Sequence, residues 1–260
     1  MLKNLKILCS YHELLANITL RDIKARYKQS LLGTAWAIIQ PLSLMLIFTL
    51  VFSRFLSVPT SGLPYPLFAY CALLPWSFFA NSLTFAVPSL INNGNLVTKI
   101  YFPREIFPLA SVMSCFFDFL IAAILFVFMM FYYRVHLSYY VFFTPLIIFI
   151  QILFTLGISF FASAVIVFFR DMRYIVPLGL QLWMFATPVV YPTSLVPARY
   201  LPVYMLNPMA GIMDSYRRVI LFGEPPSALY LVTAFLISAI TFSCAYGFFK
   251  KVEMKFADVI

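Results

Sequence analysis

RDIKARYKQSLLGTAWAIIQP, residues 21–41, passes from water to lipid within a few helical turns. Arg21, Lys24, Arg26 and Lys28 crowd a basic helix end, Gly33 breaks the pattern, and Thr34 to Ser53 is almost wholly apolar. At 1.5 Å per residue that apolar run covers about 30 Å, the thickness of a bilayer's hydrocarbon. Trp36 sits at the near edge, where indoles prefer the interface. Pro41 falls inside the span and frees a backbone carbonyl, so a kink or a local water is expected there. The stretch therefore marks where a membrane begins.

Upstream, Leu2, Leu5 and Leu8, then Tyr11, Leu14, Leu15 and Ile18, recur at helical spacing. Residues 1–30 read as a cytoplasmic amphipathic segment of one or two short helices on the membrane surface. Held by anionic headgroups alone it is an anchor; pressed by a cytoplasmic partner it is a lever. The residues leave both open. Lys3, Lys6, His12 and Glu13 interrupt any early apolar core, so no cleavable signal peptide is expected and the N-terminus is placed in the cytoplasm.

Downstream the apolar runs continue at 65–90, 105–133, 141–169, 176–191 and 228–249, which with 34–53 make six expected spans in a single transmembrane domain, 1–260. Composition agrees: 63% of the 260 residues are hydrophobic and 10% charged, whereas soluble domains carry roughly a quarter charged residues. So few charges cannot coat a soluble globule, and the fold class is an all-α integral membrane protein. The net charge of +9 gathers beside the apolar runs, which argues for topology control and not nucleic acid. Thirteen basic residues lie on the proposed inner side; Arg54, Arg134, Arg199, Arg217 and Arg218 are placed outside. That excess turns both termini to the cytoplasm.

Two features interrupt this pattern. Asp118 stands alone among aromatic and aliphatic residues of the third span, and a lone carboxylate there must face protein or water. It is a candidate for cargo contact, for a hydrogen bond to a neighbouring helix, or for a protonated structural role, and the structural reading is preferred. Pro177, Pro188, Pro192, Pro197, Pro202, Pro208, Pro225 and Pro226, eight of the seventeen prolines, crowd the chain after the fourth span. Continuous helix is excluded there, and irregular backbone survives at membrane depth only beside protein or a water-filled cavity. Residues 192–227 are accordingly read as re-entrant or outer-interface helices.

Chemistry is sparse. None of the eight glycines precedes a lysine, which removes a Walker-type phosphate loop. The four cysteines are widely spaced and two histidines are too few for a metal site, so no metal, catalytic group or cofactor is expected on this chain. A secondary transporter usually shows paired intramembrane charges for its coupling ion, and none is visible. If the protein moves cargo, its energy comes from another polypeptide. Aromatics are abundant, and their faces suit the C–H faces of sugars. Trp36, Trp76, Phe79, Trp183 and Tyr191, near span ends or kinks, are candidates to line a passage together with Asp118.

Arg21 to Gly33 followed by Trp36 and Pro41, Leu73-Leu74-Pro75-Trp76-Ser77-Phe78-Phe79, Asn95 to Ile100, Phe168-Phe169-Arg170-Asp171, Thr187-Pro188-Val189-Val190-Tyr191 and Asn207-Pro208 occur in order along the chain. Together they resemble the type-2 ABC exporter permeases of polysaccharides, a family of O-antigen, capsule and teichoic-acid translocators. The resemblance implies a homodimer of six-span subunits in the cytoplasmic membrane, joined by two copies of a separate ATPase that carries ATP and Mg2+. The cargo would be a polysaccharide or its lipid-linked form. It further implies that the ATPase meets Arg21, Asp22 and Arg26 of the N-terminal segment and Asn93, Lys99 and Arg104 of the first cytoplasmic loop. An exporter of a lipid or small molecule, a membrane glycosyl- or acyltransferase, and a structural scaffold are the alternative readings.

Overall fold

A computed structural model describes residues 10–28, 30–60, 62–99 and 102–259. The helical spacing at Leu2, Leu5 and Leu8, and Cys9, fall outside them. Among the described residues the chain is all-α, with no strand. Helix α1 is His12–Tyr27. Gly33, at φ +53°, turns the chain into α2, Trp36–Phe48, which contains Pro41 and continues through π-helical turns to Phe55. Next come α3, Tyr65–Ala86, and the short α4, Ser89–Asn92, and α5, Gly94–Lys99. Pro88, which has no backbone N–H to donate, interrupts the helical hydrogen-bond ladder between α3 and α4.

Helices α6, Ile106–Tyr132, and α7, Thr144–Phe168, are long and apolar. They are followed by α8, Met172–Phe185, α9, Leu201–Tyr204, α10, Pro208–Tyr216, α11, Ala228–Val252, and α12, Phe256–Val259. Among the described residues five helical stretches are long and apolar enough to cross a bilayer: Gly33–Phe55, Tyr65–Ala86, Ile106–Tyr132, Tyr139–Phe168 and Ala228–Lys255. In the region expected as a fifth span, 176–191, the helix is α8, which ends at Phe185 and has 14 residues. Its length is about 21 Å, short of the hydrocarbon core. Beyond it the chain is irregular through Tyr191, as Pro188 and Pro192 require.

Helix α3 is the hub. From Leu67 to Leu73 no residue is more than 2% exposed, and α2, α6, α7, α8 and α10 all touch it. Every residue of α10 is buried. Its start is set by Asn207, whose side chain caps the Met209 amide at 3.1 Å, with Pro208 at the first helical position. Gln151 on α7 is buried and donates to the Pro75 carbonyl at 2.7 Å while accepting from Tyr216 Oη at 2.9 Å. One amide thus satisfies three elements where an unpaired one would cost a few kcal/mol. A second apolar cluster, including Ile18, Val97, Phe107, Phe249 and Phe256, ties α1, α5, α6, α11 and α12 at one end.

Helices α7 and α11 meet at Gly157, where an added Cβ would stand 2.9 Å from the Phe242 backbone nitrogen. Small residues permit such close approach where the bilayer gives no hydrophobic drive to associate. Gly157→Val should therefore destabilise the purified protein by about 1–3 kcal/mol through overpacking. Thermal unfolding in detergent measures it, and an unchanged midpoint would show that the helices separate freely.

Candidate functional site

The last turn of α1 carries Arg26 and Tyr27 to Asp118 on α6. Arg26 Nη1 donates to Asp118 Oδ2 at 2.6 Å, and Tyr27 Oη donates to Oδ1 at 2.7 Å. Asp118 lies about 18 Å along α6 from Ile106 and about 21 Å from Tyr132, so the pair sits well inside the helix. Both carboxylate oxygens are satisfied, which meets the requirement for a charge away from water. The Arg26 guanidinium also lies over the Phe85 ring at 4.9 Å, while its Nη2 is buried without a partner. Burial first, and then the bond to Asp118, raise the Tyr27 phenol well above its usual range. It is a neutral donor at physiological pH.

A cavity of about 270 Å³ opens beside this pair, lined further by Trp36 and Gln40 from α2 and by Ser77 and Asn81 from α3. A second cleft of about 330 Å³ shares Arg26 and Phe85 with it and reaches Arg21, Asp22, Asn92 and Asn93. Hydroxyls, amides and aromatic faces thus continue from the basic face of α1 to the start of α2. Such a lining offers many weak hydrogen bonds and ring faces. It contains no nucleophile paired with a base, and among the described residues no group of His, Cys, Asp and Glu could hold a metal.

The residues singled out from sequence fall into three places. Trp36 is half exposed and lines the cleft with Asp118 and Arg26. Arg21 and Asp22 pair with each other at 2.8 Å near the surface, Asn93 donates back to the Ser89 carbonyl, and Lys99 is exposed. Trp76 and Phe79 are buried: the Phe79 ring stacks on Phe154 at 5.6 Å and meets Trp183 edge-on at 5.3 Å. Trp183 donates to Asn207 at 3.2 Å, and Tyr191 Oη donates to the Phe185 carbonyl at 2.9 Å.

Other contacts emerge only in three dimensions. Glu105, 1% exposed, receives Lys250 Nζ at 2.6 Å, and Lys250 also meets Glu253 at 3.0 Å. Arg104 donates to the Glu253 carbonyl. The cytoplasmic loop proposed from sequence is thereby fastened to the end of α11. Arg217, placed on the outer side by sequence, is buried in the protein at 3% exposure. It donates to the carbonyls of Pro188, Val189 and Tyr191 at 2.6, 2.6 and 3.1 Å. Burial lowers its pKa to about 10, which leaves it charged near neutrality. The sole sequence signal was its position inside the apolar run around Val219 and Leu221.

Helices of membrane-crossing length packed on one hub define a multi-pass membrane protein. The chain belongs to the ABC-2 type transporter family, whose sequence profile matches residues 13–221. It is 34% identical over 257 residues, 95% of each chain, to the O-antigen export system permease protein RfbA of Klebsiella pneumoniae. To the protein of the same name from Myxococcus xanthus it is 31% identical over the full length of both. The polysialic acid transport protein KpsM of Escherichia coli is 22% identical over 84% of this chain and 86% of its own.

Proposed function

We propose that this chain is the membrane permease of an ATP-driven exporter that moves a cell-surface polysaccharide, O-antigen-like and free or lipid-linked, across the cytoplasmic membrane. The observation that carries this is its near-full-length likeness to permeases named for O-antigen export. In this reading two copies form the translocator, α8 and the irregular 186–191 segment supply the sixth crossing, and both termini are cytoplasmic. The dimer is what the family resemblance implies, and Ile175, Leu178, Leu182 and Phe185 leave an apolar face of α8 open to a second copy or to lipid. ATP and Mg2+ belong to a separate ATPase, present in two copies. Nothing in the reading involves nucleic acid.

Coupling follows from the contacts. A push on α1 would enter α6 through Arg26 and Asp118, and a push on the first cytoplasmic loop would reach the end of α11 through Arg104 and the Glu253 carbonyl. Trp36, Asp118 and Tyr191 are proposed to face the passage. Trp76, Phe79 and Trp183 hold the hub against which the spans move. Deleting the gene should trap polymer in the cytoplasm; unchanged surface polymer, with no second exporter present, would refute the proposal.

Arg21→Glu tests the coupling, because Arg21 is exposed and its loss disturbs only the pair with Asp22. Exposed pairs contribute at most about 1 kcal/mol, so membrane insertion should be unchanged. Polymer export and the stimulation of the partner ATPase should fall severalfold. Equal loss of insertion and export would return α1 to the role of an anchor.

A further inference from the structure

A third cavity of about 280 Å³ lies between α3, α6, α10 and the start of α7, on the other side of Leu74 and Phe119, which it shares with the Arg26–Asp118 cleft. Its wall follows α6 from Phe119 to Phe131, about 18 Å, which compares with roughly 15 Å for one leaflet of a bilayer's hydrocarbon. Val135, Leu137 and Val141 line the end next to the 133–138 turn. Space this small, spread over that length, is far narrower than a helix, which is 10–12 Å across. It admits one extended hydrocarbon chain.

Two further observations point to the occupant. Leu120, Val127, Phe131 and Leu137, which border the groove, are 47–72% exposed, so the groove opens on a face turned to the bilayer. Thr144, at the end next to the 133–138 turn, has a hydroxyl oxygen buried without a hydrogen-bond partner. A buried hydroxyl left unmatched costs about 1–3 kcal/mol, and the ester carbonyl of a lipid whose chain filled the groove would satisfy it.

We infer that this groove is a binding site for one acyl chain of a bilayer phospholipid, in the leaflet on the side of the 133–138 turn, with Thr144 donating to the ester. The chain packs between α3 and α6 and supports their contact beside Cys71 and Pro75.

The test uses the transporter with its ATPase in nanodiscs containing phosphatidylethanolamine with a diazirine at mid-chain. After irradiation, label should concentrate on peptides covering 119–131 and 137–148. Ala123→Trp, which fills the groove, should reduce that label to the level on the exposed face of α11. Because this change can also disturb helix packing, Leu120→Trp at the rim and Thr144→Val are measured beside it. Thr144→Val removes an unpartnered hydroxyl, so in an empty site it would leave labelling unchanged, whereas a lipid-binding site loses label. Uniform labelling of all four proteins would overturn the proposal. So would efficient disulfide formation between two Ala123→Cys copies, because the groove would then be covered by protein.

Discussion

Asp118→Leu is expected to lower stability by about 3–5 kcal/mol, the usual cost of stripping one partner from a buried ion pair. The wild-type pair is mostly enclosed, with side chains 18% and 14% exposed, and among the described residues Asp118 is the charged partner of Arg26. Arg26→Leu should cost a similar amount by stranding the carboxylate, although Tyr27 still donates to it. The double variant Arg26→Leu, Asp118→Leu should recover most of the loss, because replacing both charges by apolar groups is often neutral or better. Thermal unfolding of the purified protein in detergent gives all three values, and the coupling between them isolates the pair. Export then separates two roles. If the pair transmits force from α1 to α6, the double variant is stable and inserted but exports poorly. If it only holds the fold, export returns with stability.

That pair also shows what a sequence can and cannot disclose. The all-helical membrane class was legible because apolar runs of spanning length need only local counting, from Thr34–Ser53 onward. The lone charge at Asp118 was legible as a cost that something must offset. Its partner was not, because Arg26 lies 92 positions away and reads locally as one more residue of a basic surface helix. Trp76 and Phe79 illustrate the converse: aromatics at a kink look alike from sequence whether they line a passage or pack a hub. Burial at 4% and 0% places them in the hub of this protomer. The same limit hid Glu105 and Lys250, 145 positions apart, whose separate charges gave no hint of one buried contact.

Arg217 presents the second large effect. Arg217→Met should cost on the order of 4 kcal/mol, because each abandoned buried carbonyl carries a penalty of about 1–3 kcal/mol and the losses overlap. The carbonyls of Pro188, Val189 and Tyr191 belong to a segment that prolines keep out of regular helix, so no neighbouring amide can replace the guanidinium. The ring of Phe68 beneath it, 3.7 Å from the guanidinium carbon, adds a cation–π contact from the hub. Arg217→Lys keeps the charge but offers its donors from a single nitrogen, which cannot copy the spread of the fork. It should recover less than half of the loss. Hydrogen exchange across 187–192 reports this directly, rising strongly in Arg217→Met and partly in Arg217→Lys, while exchange in α7 stays slow. Full rescue by lysine would mean that charge alone matters and that the fork geometry is incidental. Partial rescue makes the irregular stretch after α8 a structure held from the side, by one arginine, against the hub helix α3.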